Sequence, residues 1–212
     1  MTSGEGRIGF RVYLITDRKL FTSEDLMVRG IGEALRAGVK AVQLREKDMA
    51  TRDLLALAYR LRELTKEHGA ALFINDRVDI AMAAEADGVH LGGTSVPVSA
   101  ARKAAGEKLL IGRSAHSLEE ALEAEKDGAD LMTFGPVFDT PSKRRYGKPV
   151  GLELLGQVAR QVSAPVFAIG GITMDSIQEI QAAGAHGIAL ISGILASDTI
   201  YGSAINFVRT MT

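Results

Sequence analysis

The amino-acid sequence predicts an α/β protein: a single-domain (β/α)8 barrel around a parallel eight-stranded core. Three observations lead there. Short apolar runs of strand length alternate eight times with helix-length segments, an order that builds a parallel sheet. One unit recurs: Ala37-Gly-Val-Lys-Ala-Val-Gln-Leu, Ala86-Asp-Gly-Val-His-Leu, Asp127-Gly-Ala-Asp-Leu-Met-Thr-Phe and Ala183-Gly-Ala-His-Gly-Ile-Ala-Leu each hold a helix end, a small-residue turn and an apolar strand. Finally, residues 165–195 (PVFAIGGITMDSIQEIQAAGAHGIALISGIL) end two successive strands in glycine turns, where the last two loops of a barrel commonly bind phosphate. A dinucleotide-binding open sheet loses support because no G-x-G-x-x-G follows the first strand.

The elements follow in order. Residues 11–16 (RVYLIT) form the first strand, and residues 23–38 a helix with Leu26, Ile31 and Leu35 apolar and Gly38 as its stop. Strand two is 41–44, opening into Arg45-Glu46-Lys47-Asp48, and an amphipathic helix spans 51–69. Strand three, 71–74, runs into Asn75-Asp76-Arg77 and a short helix at 78–86, where Asp76 also suits an N-cap. Strand four (88–91) leads through Gly92-Gly93-Thr94-Ser95 to a helix at 98–105, and strand five is 109–112. Ser117 and Glu120 form a capping-box start for the helix to Asp127. Strand six, 131–134, enters the longest loop, GPVFDTPSKRRYGKPVG, before a helix at 151–162. Strands seven (165–169) and eight (187–191) flank a helix that Thr173 caps, and a helix at 201–211 closes the chain. Met82 and Met132 read as core, and His90, inside an apolar strand, as a packed barrel-interior histidine.

With 212 residues, 46% apolar and 24% charged, the chain suits one barrel, the polar, Gly-rich residues 1–10 reading as a flexible N-terminal extension. A net charge of −1 offers no basic surplus for nucleic acid. The absence of cysteine removes disulfides, thiolate metal sites and cysteine nucleophiles, and fits a reducing compartment. No run has membrane-spanning length or the apolar centre of a signal peptide, so the expected location is cytoplasmic.

The polar residues at the strands' C-terminal ends are Gln43, Arg45, Lys47, Asn75, Asp76, Arg113, Ser114, His116, Thr140, Ser142, Lys143 and Ser192. In a barrel they converge on one mouth, where active sites lie. Cations, hydroxyls and glycine backbone with a single clear carboxylate suit a phosphate or diphosphate substrate, and Asp76 suits Mg²⁺ shared with such a group. Gly170-Gly171 and Ser192-Gly193 supply a phosphate cradle, and the basic sixth-strand loop is placed to close over an anion.

The stretches VYLITDR, AVQLREKD, LFINDRVDIA, ADGVHLG, IGRSAHSLEEA, FGPVFDTPSK, PVFAIGGI and GIALISGI, in order from Val12 to Ile194, resemble the thiamine-phosphate synthase and TenI-like superfamily of (β/α)8 barrels. The resemblance implies condensation of hydroxymethylpyrimidine diphosphate with a thiazole phosphate, releasing diphosphate. It implies that Gln43, Arg45 and Lys47 hold the diphosphate, that Asn75 contacts the same substrate, and that Asp76 ligates Mg²⁺. Ser114 and Lys143 would meet the diphosphate or the pyrimidine, and Thr140 and Ser142 would line the thiazole-phosphate side. Gly171, Ile191 and Ser192 would hold phosphate.

Two positions depart from the synthase pattern. Ser95 stands where synthases carry a second metal-binding Asp, and Arg144-Arg145 stand where an acid is usual. A neutral hydroxyl is a poor Mg²⁺ ligand, so metal affinity is expected to drop. The Gly112-Arg113-Ser114-x-His116-Ser117 stretch is similar to the TenI type, in which such a histidine moves a proton during thiazole aromatisation, so His116 implies a tautomerase as the alternative. A non-catalytic thiazole-phosphate binder is a third reading. The expected partners are small phosphorylated molecules and at most a second copy of the chain in a homodimer, with no nucleic acid and no membrane.

Overall fold

The computed structural model of the protein describes residues 8–140 and 149–212. Its strands are β1 (Val12–Ile15), β2 (Ala41–Leu44), β3 (Ala71–Asn75), β4 (Gly88–Leu91), β5 (Leu110–Ala115), β6 (Leu131–Phe134), β7 (Val166–Ile169) and β8 (Gly187–Leu190). They close in sequence order into a parallel barrel, with Leu14 level with Val42 on one side and with Leu190 on the other. The helices are α1 (Glu24–Arg36), α2 (Thr51–Glu67), α3 (Val78–Ala83), α4 (Val98–Ala105), α5 (Leu118–Lys126), α6 (Gly151–Gln161), α7 (Ile177–Ala182), α8 (Ser192–Leu195) and α9 (Ile200–Met211). The (β/α)8 expectation holds.

Strand periodicity of two splits the core into two layers. Leu14, Val42, Leu72, Val89 and Ile188 face outward and pack with helix residues such as Met27, Ile31, Leu57 and Leu61. Tyr13, Ile15, Ala41, Phe73, Leu131, Phe167 and Ala189 point inward and fill the barrel together with Ile8 and Phe10. The Phe10 ring lies 5.2 Å from Phe167 and 5.7 Å from Tyr13, plugging the N-terminal end. Residues 8 and 10 therefore depart from the flexible extension expected for 1–10: burial of their apolar side chains holds that stretch on the barrel.

In two of its copies the repeated sequence unit has a physical use at the residue entering the strand, Asp87 before β4 and Asp130 before β6. Asp87 Oδ2 accepts the Leu72 N–H at 2.7 Å and the Arg62 guanidinium at 2.6 Å. Asp130 Oδ2 does the same with the Ile111 N–H at 2.7 Å and with Arg102. Each acid ties the incoming strand to the preceding strand and helix, which fixes strand order around the ring.

Three local expectations change. β5 runs to Ala115 instead of stopping at Gly112, because Arg113 and Ser114 pair with Met132 and Thr133 of β6. Ser192 opens the short helix α8 instead of a glycine turn. Met82 is 43% exposed, since α3 ends at Ala83 and turns its Met82 face outward. Ser23 and Ser117 cap α1 and α5, accepting the Leu26 and Glu120 N–H groups, but the Glu120 carboxylate accepts the His116 N–H instead of the Ser117 N–H, so only the serine half of the expected capping box forms.

Candidate active site

At the mouth, β2 delivers Gln43, Arg45 and Lys47. Gln43 is 1% exposed and points into the barrel, where its Nε2 donates to the Tyr13 hydroxyl at 3.1 Å. Between the two cations, Glu46 turns the other way and is buried. Its Oε1 accepts the Thr16 hydroxyl at 2.7 Å and the Arg18 N–H at 3.0 Å, while the Arg45 N–H donates to Thr16 Oγ1 at 2.9 Å. Burial pushes the Glu46 carboxyl above its ordinary value despite these donors. The clamp fixes the backbone from which Arg45 and Lys47 project.

β3 ends in Asn75 and Asp76. Asp76 has φ 62°, a left-handed conformation that Asp tolerates, and α3 begins only after Arg77 with no side-chain cap. The N-cap reading of Asp76 is therefore not realised. Its carboxylate is turned to the mouth: Oδ1 accepts the Gly92 N–H at 3.1 Å and the Ser95 hydroxyl, and Oδ2 accepts the Asn75 amide at 2.7 Å. Lys47 Nζ lies 3.8 Å from Oδ2. Burial alone would raise this carboxyl, but Ser95, Gly92, Lys47 and Asn75 together outweigh it and hold the pKa below the ordinary range.

β4 to β6 form the polar floor. His90 is 2% exposed, with Nε2 3.1 Å from Ser114 Oγ and 3.3 Å from Thr133 Oγ1 and Nδ1 3.5 Å from the Tyr13 hydroxyl. The barrel-interior reading of His90 holds, but the residue is bonded as well as packed. Burial drives its pKa down to about 3, so the imidazole is neutral. Arg113 donates to the Gly92 carbonyl and steadies the β4 loop. His116 lies past the end of β5, exposed, its Nδ1 donating to the Gly135 carbonyl at 2.5 Å and its N–H to Glu120 at 2.8 Å.

The sixth-strand loop starts against β7. The N–H groups of Val137 and Phe138 donate to the carbonyls of Ile169 and Gly170 at 2.9 and 3.0 Å. Gly170 and Gly171 have φ 97° and 68°, and a Cβ on Gly171 would lie 2.7 Å from Phe138 Cβ and 2.9 Å from the Asp139 carbonyl oxygen. Only glycine fits this double turn. Thr140, next along, holds a buried hydroxyl with no hydrogen-bond partner among the described residues. Ser142, Lys143, Arg144 and Arg145 lie outside the described residues. On the far side Ile191 packs against the barrel's inner layer, and Ser192 begins α8.

The structure thus joins Lys47, Asn75, Asp76 and Ser95 in one cluster, and Gln43 with Ser114 through Tyr13 and His90. His116 stands apart, bound to the base of the sixth loop. Sequence reasoning missed Tyr13, Thr16, Glu46 and Thr133; a hydroxyl in each of the otherwise apolar runs VYLI and LMTF was the available signal for two of them. A separate groove of about 770 Å³ between α1 and the α8–α9 link, lined by Phe21, Glu33, Arg36, Asp198 and Tyr201, has no such convergence of groups.

A closed parallel barrel with cations, hydroxyls and the Asp76 carboxylate at the C-terminal mouth defines a (β/α)8 enzyme of small phosphorylated substrates. Residues 12–194 match the family described as thiamine monophosphate synthase, and the chain belongs to that family. It is 41% identical to thiamine-phosphate synthase of Clostridium novyi over 93% of this chain and 96% of that one. It is 43% identical to that of Chloroflexus aurantiacus over 93% and 90%. A solved thiamine phosphate pyrophosphorylase from Pyrococcus furiosus superposes with a TM-score of 0.87 at 40% identity, covering 95% of each chain. A 3-hexulose-6-phosphate synthase at 17% identity and TM-score 0.72 shares the fold alone.

Proposed function

We propose that the protein is a cytoplasmic thiamine-phosphate synthase, a transferase that joins a hydroxymethylpyrimidine diphosphate to a thiazole phosphate and releases diphosphate. The observation that carries this reading is the Lys47–Asp76–Asn75–Ser95 cluster, set beside Arg45 at the mouth of a barrel of this family. Arg45 and Lys47 meet the diphosphate and stabilise its charge as its bond to the pyrimidine methylene breaks. Lys143, Ser142 and Thr140 serve the same mouth from the sixth loop, and the buried Thr140 hydroxyl, which has no partner among the described residues, supports a polar ligand there. Gly170, Gly171, Ile191 and Ser192 hold the thiazole phosphate. The thiazole nitrogen attacks the resulting pyrimidine-methyl cation, and the chain needs no nucleophile of its own for that step.

The donors that face one another where a metal is expected are the Asp76 oxygens and the Ser95 hydroxyl. Among the described residues no group of three or more His, Asp or Glu gathers. This set suits Mg²⁺ held by one carboxylate with the remaining positions filled by diphosphate oxygens and water. Asp76 and Ser95 would hold it, and when bound the ion would neutralise charge on the departing diphosphate.

A second reading, thiazole tautomerase, draws on His116. Its Nδ1 donates to Gly135, so its Nε2 is left as the acceptor that proton abstraction needs. Assaying the purified protein for thiamine phosphate and for thiazole aromatisation separates the two readings, and no turnover in either assay would leave only a binding role.

A further inference from the structure

We propose that His90 sets the hydrogen-bond polarity of the cavity floor, so that Gln43 presents an acceptor and Ser114 a donor to the substrate's ring. This deepens the synthase reading and rests on it. His90 acts here as a positioning residue for specificity, working through its neighbours.

The argument follows the protons. Gln43 Nε2 donates one N–H to the Tyr13 oxygen at 3.1 Å, which turns the amide nitrogen inward and leaves the amide oxygen, on the other arm of the amide, as the acceptor for a ligand. Having accepted that bond, Tyr13 turns its own O–H toward His90 Nδ1, 3.5 Å away. A neutral imidazole that accepts at Nδ1 carries its proton on Nε2. That Nε2–H faces Ser114 Oγ at 3.1 Å and Thr133 Oγ1 at 3.3 Å, and the Thr133 hydroxyl donates to Ser114 Oγ at 3.2 Å. Ser114 Oγ then accepts two bonds, so its own proton is free to point to the half-open mouth. Shifting the imidazole proton to Nδ1 would reverse the Gln43–Tyr13, Tyr13–His90 and His90–Ser114 bonds, leaving Gln43 as donor and Ser114 as acceptor toward a ligand. One tautomer therefore decides which heterocycle the floor matches. The Nε2–H form fits a ring that offers an amino donor beside a ring-nitrogen acceptor, and it opposes the oxo form of the same ring, whose edge is inverted.

Space for the imidazole comes from the next strand. A Cβ on Gly112 would lie 2.4 Å from His90 Nδ1, so glycine there lets the ring lie flat across the barrel. Gly112→Ala would displace the ring while leaving its chemistry intact.

Two experiments test the proposal. In the first, long-range ¹H–¹⁵N NMR of the histidine-labelled protein assigns the His90 tautomer directly. The expected result is an imidazole that carries its proton on Nε2 and none on Nδ1; an Nδ1–H form would overturn the proposal. In the second, kcat/KM is compared for the aminopyrimidine diphosphate and its oxo analogue. The protein should prefer the amino form by on the order of 10²-fold or more. His90→Phe, which keeps a ring but loses both nitrogens, and Gly112→Ala should each shrink that preference at least about tenfold. A preference unchanged in both folded variants would overturn the proposal. If the protein turned over neither substrate, the synthase reading would fall, whereas the tautomer measured without substrate would still decide the polarity.

Discussion

Lys47 Nζ lies 3.8 Å from Asp76 Oδ2, which places a cation of one loop against the only carboxylate of the Asn75–Asp76–Ser95 cluster. That carboxylate also accepts Asn75, Gly92 and Ser95, so its oxygens are engaged by protein donors before any substrate arrives. The arrangement offers a metal one anionic ligand and one hydroxyl.

Ser95→Asp should add the missing charge. Binding of Mn²⁺ to the substrate-free protein, read by its electron paramagnetic resonance signal, is expected to tighten by at least about tenfold in the variant. Equal affinity in both proteins would mean that another group already supplies the second ligand.

Glu46 and Asp76 contribute to stability with opposite signs. The folded state raises the Glu46 pKa, so its contribution is fully present below the ordinary carboxyl value and is lost as pH rises through the raised value. Asp76 is lowered, so its contribution is present above the ordinary value and is lost as pH falls through the lowered one. Glu46→Gln keeps an acceptor for Thr16 and Arg18 and removes the titration. The urea midpoint of the unmodified protein should fall as pH rises above the ordinary carboxyl range toward neutrality, and the variant should show less of that fall. Identical profiles would show that burial of Glu46 costs nothing.

Phe10 closes the N-terminal end of the barrel at 6% exposure. Phe10→Ala should destabilise the protein by about 3–5 kcal/mol in urea unfolding. A loss within about 0.5 kcal/mol is what a free extension would give, and would contradict the plug.

His116→Asn should leave synthase turnover within about threefold of the parent, because the imidazole is bound to Gly135 and lies outside the Lys47–Asp76 cluster. Any aromatisation of the thiazole carboxylate phosphate should disappear in the same variant. Retained aromatisation would remove His116 from that role.

The barrel was legible because period-two strands and repeated helix–turn–strand units write themselves directly into the sequence. Arg45, Lys47, Asn75 and Asp76 were legible because position at a strand's C-terminal end is enough to place them at the mouth. The end of β5 was not: Gly112-Arg113-Ser114 has loop composition, and only pairing with β6 makes it a strand that turns Ser114 inward. Ile8 and Phe10 were hidden in a Gly-rich, polar run, since their burial depends on the barrel closing above them. The Tyr13–His90–Ser114 contacts join residues 77 and 24 positions apart, a relation that appears only once β1, β4 and β5 are wrapped into one cylinder. For the same reason nothing in Arg45-Glu46-Lys47-Asp48 singles out Glu46 as the side chain that turns away to Thr16.

The most direct measurement incubates the purified protein with hydroxymethylpyrimidine diphosphate, thiazole phosphate and Mg²⁺ and follows thiamine phosphate and diphosphate together. The account predicts equimolar formation of both products at turnover well above background, reduced by about 10²-fold in Lys47→Ala. No thiamine phosphate from a folded protein that still binds the thiazole phosphate would contradict it.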